Sequence, residues 1–283
     1  MYWFEHEKGL VLDIDKLWRD LEWCWFTKGG EDVLYCHWSP DYKWEMNFPV
    51  RGYNECLILY ILAASSPTYP IQAKAYHLGW ARGGAINTIS GKYGFALTLK
   101  HNGAEEYGGP LFWAHYSYLG LDPRNLKDKY ADYWQQNTNQ TLINWQWCVS
   151  DTNHYIGYSK DCWGLSASYS TGGYAAHAPG NNSDLGVISP TAALSSFPYT
   201  PEHSMDALKH FYYVIGNKTW GEYGFYDAFS EQYNWFPQKY LAIDEGPIVI
   251  MIENYRTGFL WNLFMSGEEI HEGLALLGFS TGK

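Results

Sequence analysis

Positive charge is what this chain has least of. Its 19 Lys and Arg stand against 30 Asp and Glu, a net charge of −11, and the basic residues form no run. Binding to a nucleic-acid backbone rests on clustered Lys and Arg, so no nucleic-acid partner is expected. Cysteine is also scarce. The five present are odd in number and include no C-x-x-C pair, which argues against a disulfide framework or a zinc centre. They read instead as small buried apolar residues. No apolar run approaches the ~20 residues of a membrane helix, so no membrane partner is expected. The opening MYWFEHEKGLVLDIDK lacks the basic and apolar regions of a signal peptide. Nucleophile elbow, phosphate loop, dinucleotide fingerprint and zinc-binding helix are missing as well, and neither metal nor cofactor is expected.

Aromatic residues are abundant: 19% of the chain, with 15 Trp and 25 Tyr. Trp and Tyr join an apolar face to a polar tip. An excess of them suits a wet stacking surface, and sugars use such surfaces most. An aromatic-rich core is the other reading of the same composition.

The hydrophobic spacing predicts helices throughout. Leu17, Trp18, Leu21 and Trp25 space one over 12–26, closed by Thr27-Lys28-Gly29-Gly30. Stretches 55–65, 111–120, 190–197 and 246–265 read as helices apolar all round. Stretches 12–26, 70–82, 125–149, 201–215 and 268–277 read as amphipathic. Helices that need cover on every side thus alternate with half-exposed ones. That alternation predicts an all-α fold, an α/α toroid of two concentric helix rings with long loops around a central cavity. GKYGFALTL reads as a short strand, HNGAEEYGGP as a turn-rich loop, and 151–189 as a long functional loop.

Four segments carry candidate chemistry. In RGYNECLILYILAA, Glu55 stands at the mouth of an apolar helix behind Tyr53 and Asn54. A first-turn acid gains roughly 0.3–1 kcal/mol from the helix dipole, and that alone would explain it. Partial desolvation at a cavity rim would instead raise its pKa towards general-acid duty. In WGEYGFYDAFSEQYNW, Glu222 and Asp227 lie among Trp220, Tyr223, Phe225, Tyr226 and Trp235, an acid-bearing sugar platform or a packed aromatic loop. In DCWGLSASYSTGGYAAHAPGNNSDLG, Trp163, Tyr174 and His177 offer stacking and hydrogen bonds, with Asp161 and Asp184 beside them. In GPLFWAHYSYLGL, Trp113, His115 and Tyr116 share one turn, where a buried His is more often a core residue. Glu253 and Arg256 in MIENYRTGFLW read as an internal ion pair, with Arg256 also in reach of a sugar hydroxyl. Paired carboxylates hydrolysing a glycoside are the chemistry these residues best support.

VLYCHWSPDYKWEMNFPVRGYNE, LAASSPTYPI, GPLFWAHYSYLGLDPR, GVISPTAALSSFPYTPE, WGEYGFYDAF and IDEGPIVIMIENYRTGFLW follow one another along the chain. Together with the CWGLSAS loop they resemble the glycoamylase-like family, in particular its bacterial members similar to endo-β-1,2-glucanases and the related module of cyclic β-1,2-glucan synthases. The resemblance implies an (α/α)6 toroid, a single domain over 1–283, and an inverting glycoside hydrolase. Its substrate would be a β-glucan, most plausibly β-1,2-linked. Glu55 would be a cavity acid within the VRGYNE motif, with Arg51, Tyr53 and Asn54 at the substrate. The second carboxylate stays open between Asp227, Glu222, Asp161 and a segment upstream. The resemblance also implies that the domain's N-terminal third is not in this sequence, because the helices read here fall short of six hairpins. A monomer in the periplasm or outside the cell is the matching expectation. Phe48 and Glu245 depart from the family pattern of His and Gln. A glycan-binding piece without turnover and a starch-type glucoamylase remain the alternatives.

Overall fold

The computed structural model describes residues 6–101, 106–150 and 155–282. Parts of the loops expected over 101–110 and 151–189 lie outside the described residues. In chain order the elements are α1 (Lys8–Asp20), hairpin β1 (Tyr35–Cys36) and β2 (Phe48–Pro49), α2 (Leu57–Ser65), and hairpin β3 (Gly91–Lys92) and β4 (Phe95–Ala96). Next come α3 (Tyr133–Ser150), hairpin β5 (Ala167–Ser170) and β6 (Gly173–Ala176), α4 (Pro190–Leu194), α5 (Pro201–Lys209) and α6 (Gly216–Thr219). Hairpin β7 (Trp220–Gly221) and β8 (Gly224–Phe225) precedes α7 (Ala242–Thr257), α8 (Phe259–Met265) and α9 (Glu268–Leu276). Helix dominates, as expected.

α2 is apolar on every face because it is packed on nearly every face. Leu57, Tyr60, Ile61, Ala63 and Ala64 are buried in a cluster that also holds Tyr76, Trp80, Tyr118, Tyr133 and Leu274. Each such large apolar side chain contributes about 1.5–3 kcal/mol by leaving water. The closest seam is with α9, where a Cβ on Gly273 would fall 2.1 Å from Ser65 Oγ. Only a glycine lets the two backbones meet there. A second cluster gathers Trp147, Trp163, Ala192, Ala193, Leu194, Phe211 and Phe229 around α4.

α3 departs from the amphipathic outer helix that its polar residues predict. Gln136, Asn137, Asn139, Gln140, Thr141 and Asn144 are all buried. Buried amides must find partners: Asn137 meets the Tyr53 and Tyr199 hydroxyls, and the others find backbone of distant segments. Gln136 Oε1 accepts from Thr98 N–H at 2.9 Å, and Gln140 Nε2 donates to Gly108 O at 2.8 Å. Asn144 takes both backbone groups of Leu165 at 3.0 Å. The polar stripe is therefore a spine that staples loops, a use that periodicity alone does not distinguish from exposure.

α7 and α8 correct the reading of one long covered helix. Gly258, at φ 69°, breaks it, and Val249 on α7 is 72% exposed. α1 is amphipathic yet buries no residue, and its Leu17 is 73% exposed. The stretch expected as helix 111–120 forms two 3-10 turns, Leu111–Ala114 and Tyr116–Leu119. The helices expected over 70–82 and 201–215 contain wide π turns, Ala75–Trp80 and His210–Val214. Cys24 and Cys36 are exposed rather than core residues. No helix among the described residues is long and apolar enough to cross a membrane.

Candidate active site

The first turn of α7 holds two adjacent acids, Asp244 and Glu245. Free N–H groups at a helix start favour anions, yet both carboxyls are held well above the usual range. Burial raises Asp244 to about 7, with the carboxyl of Asp227 as the next cause. Asp227 is itself raised, first by burial. Asp244 is 2% exposed and Asp227 1%, and each carboxyl acts on the other. Two buried like charges that act on each other cannot both ionise, so one proton stays with the pair. Asp227 Oδ1 and Asp244 Oδ2 are buried without a hydrogen-bond partner. Glu245 is raised to about 8, again by burial first, with Asp227 and Asp244 adding. Its Oε2 accepts the Leu241 N–H at 2.7 Å.

Loops from elsewhere hold this cluster. In the β5–β6 hairpin Tyr169 pairs with Tyr174. The Tyr169 N–H donates to Asp227 Oδ2 at 2.7 Å, and the Tyr174 hydroxyl donates to Asp244 Oδ1 at 3.1 Å. Asp227 follows β8 and is tied by its N–H to Lys239 O at 2.9 Å. The Lys239 ammonium lies 4.2 Å from the Tyr169 ring centre and lowers the Asp227 pKa against the larger effect of burial.

Tyr116 connects this cluster to Glu55. Pro247 in α7 has no N–H, so the Ile243 carbonyl one turn back lacks its helical donor. The Tyr116 hydroxyl supplies one at 2.5 Å and lies 3.5 Å from Asp244 Oδ1. Burial raises the Tyr116 phenol, and Asp244, Tyr174 and Glu55 raise it further. Glu55 and Asp244 therefore bear on one phenol. Glu55 is half-buried just ahead of α2. Its carbonyl accepts from Ser117 Oγ, which in turn accepts the Ile58 N–H at 3.1 Å. The 3-10 turn carrying Ser117 is thereby fastened to the α2 mouth.

Of the residues singled out in the sequence, the structure gathers Glu55, Tyr116, Tyr174 and Asp227. Others lie in the interior. Tyr53 donates to Asn137 Oδ1 at 2.5 Å, and Asn54 Oδ1 accepts the Cys56 N–H at 2.9 Å. Trp113 stacks on His101, and Trp163 donates to His203 O at 3.2 Å. His115 is bonded to Ser196 and lowered to about 3 by burial, and His177 is buried and lowered to about 4. Half-buried Arg51 has an unpartnered Nε and acts on Tyr35 and Tyr60. Glu222 and Tyr223 stand in the β7–β8 turn, exposed, while half-buried Tyr226 packs on Tyr240. Asp161 lies beside Lys160, and Asp184 anchors Trp147 and Tyr158 at 2.7 Å each. Arg256 pairs with Glu253 at 3.1 Å, in solvent rather than internally. Sequence reasoning assigned no role to Asp244, Glu245 or Tyr169. The first two had a signal in IDEGP, which sets paired acids at a helix mouth ahead of a proline.

The model of the glycoamylase family, described as "Putative glucoamylase", matches residues 47–268. The chain is 41% identical to the exo beta-1,2-glucooligosaccharide sophorohydrolase (non-reducing end) of Parabacteroides distasonis, over 95% of this chain and 39% of that protein. Among solved structures, the endo-beta-1,2-glucanase from Chitinophaga pinensis in complex with sophorotriose and glucose is similar at TM-score 0.95 and 63% identity, over 98% of this chain and 66% of that one. The beta-1,2-glucanase from Parabacteroides distasonis is similar at TM-score 0.91 and 40% identity, over 96% of this chain and 41% of that one. The chain thus spans about two fifths of the curated relative and just under two thirds of the Chitinophaga chain. Its fold is the α/α toroid of these proteins.

Proposed function

The chain belongs to the glycoamylase family, and on that premise we propose that it hydrolyses a β-1,2-linked glucan, with the Asp227–Asp244 pair as its proton source. The observation that carries this reading is the burial of two carboxyls, each with an oxygen left without a hydrogen-bond partner. Glycoside cleavage needs an acid still protonated near neutrality, and an Asp raised to about 7 meets that need. Asp244 protonates the departing glycosidic oxygen, and the charge left behind is spread over the pair and steadied by Tyr174 and the Tyr169 N–H.

The pair cannot also supply the base. Inverting hydrolysis sets acid and base about 6.5–9.5 Å apart across the sugar, whereas Asp227 and Asp244 act on each other as buried neighbours. The base, which activates water on the opposite face, is assigned to Glu55, across Tyr116. Half-exposed Tyr174 and exposed Tyr223 provide ring faces for stacking. The names of the similar proteins favour the β-1,2 linkage.

Reducing-end release from linear β-1,2-glucan by the purified chain tests this reading, with Asp244→Asn, Glu55→Gln and starch alongside. Turnover of the β-glucan, lost in both variants and absent on starch, is the expected result. Folded protein that binds sugar and quenches aromatic fluorescence without releasing reducing ends would replace hydrolysis with glycan binding alone.

A further inference from the structure

Away from the acid pair, Cys162, His210 and Glu231 converge from three segments. Their ligand atoms all lie within 4.8 Å of one another. Cys162 closes the turn begun at Ser159, whose N–H donates to Cys162 O at 3.0 Å. His210 opens the π turn that follows α5, and Glu231 sits in the tight turn bridged from Ser230 to Trp235. We infer that these three side chains form a zinc site, a clamp that joins the two segments packed over Asp244.

Three observations converge on this site. The Nε2 of His210 is buried with no hydrogen-bond partner, an expensive state for an imidazole nitrogen unless something binds it. Thiolate, imidazole and carboxylate together are a donor set suited to Zn2+, which takes three protein ligands and a water in tetrahedral geometry. Tetrahedral ligand atoms lie about 3.5 Å apart at normal zinc bond lengths, so the observed spacing closes with small side-chain rotations. The Glu231 side chain lies close against Gly157, where an added Cβ would meet its Oε1 at 2.9 Å. Access exists from outside, since His210 lines an open cleft of about 340 Å3 with Lys160, Asp161 and Asp206.

The Cys162 thiol is pushed well up by burial, with Glu231 and Asp161 adding. A divalent cation reverses that balance, and its binding expels the thiol proton. The position explains what the clamp would do. Cys162 lies on the segment that runs into Tyr169 and Tyr174, and Glu231 on the one that begins at Asp227. Zinc would bind both segments to the end of α5.

Cobalt titration of chelator-treated protein tests the site. Co2+ bound by Cys162 is expected to give a near-ultraviolet thiolate-to-metal charge-transfer band, displaced by stoichiometric Zn2+. Cys162→Ser should abolish the band, and His210→Gln and Glu231→Gln should weaken Zn2+ binding by at least about tenfold, no less than loss of an outer partner does. Zn2+ should raise the Tm of the wild-type chain and not of these variants. Should Cys162→Ser not fold, the His210 and Glu231 variants still decide. Absence of the band in the wild type, a band surviving Cys162→Ser, or variants binding zinc like the wild type would each overturn the site.

Discussion

Two apolar helices in this protein open on acids, and the surroundings of those acids differ. Glu55 precedes α2 half-buried, its backbone tied to Ser117 and its charge felt at the Tyr116 phenol. Asp244 stands inside the first turn of α7 and is buried against a second carboxyl, two tyrosines and a proline-exposed carbonyl. The helix field favours an anion at either mouth, most of all within the first turn. Burial separates them further: β5–β6 and the segment after β8 cover Asp244 and bring Asp227 to it. The helix end offers a place for an acid, and the covering loops decide whether that acid keeps its proton.

The sharpest way to break the comparison is to remove the shared proton. Asp244→Asn and Asp227→Asn should each cut turnover on linear β-1,2-glucan by ~10²–10⁴-fold, the range for a general acid. The double variant should cost little more than either single one, because the pair acts as a unit. Additive losses in reducing-end assays would mean two independent acids.

pH separates the two mouths next. The unfolded chain loses the Asp244 proton near the ordinary 3.8, the folded chain at about 7. Within that interval the folded state binds the extra proton. The group's contribution to stability is therefore full below pH ~4 and lost as pH rises through ~7. Chemical denaturation from pH 4 to 8 should show stability falling, with a shallower slope in Asp244→Asn than in Glu55→Gln. Turnover should fall over the same alkaline limb.

Smaller effects sharpen the contrast. Gly273→Ala should destabilise the chain by about 1–3 kcal/mol, because the new Cβ meets the α2 backbone at Ser65 as well as its hydroxyl. Thermal melts read this directly, and an unchanged Tm would mean the seam is loose. Tyr174→Phe removes one hydrogen bond to Asp244, worth about 0.5–1.5 kcal/mol, and should lower kcat less than tenfold. Glu222→Ala, on an exposed turn, should stay within ~0.5 kcal/mol of wild-type stability and keep its turnover.

The helical character and the α2 mouth were legible in the sequence because apolar runs and their breakers are local signals. Glu55 and Asp227 were legible as acids in aromatic surroundings. The pairing was not. Asp244 meets Asp227 only because a hairpin within 155–189 folds over α7, and that hairpin has too few alternating apolar residues to announce itself. α3 misled for the opposite reason: its amides look like a solvated face until the loops that consume them are in place. The break at Gly258 was readable as a glycine, but the apolar residues on both sides carry one continuous pattern through it.

Residue 169 reaches Asp227 by two routes. Its main-chain N–H donates to the carboxylate, and any amino acid but proline would present that donor. Its ring seats the Lys239 ammonium, which draws the same carboxyl downward in pKa. A change of side chain at this position would therefore keep the grip on Asp227 and release the cation, so two controls on one acid can be separated at a single residue.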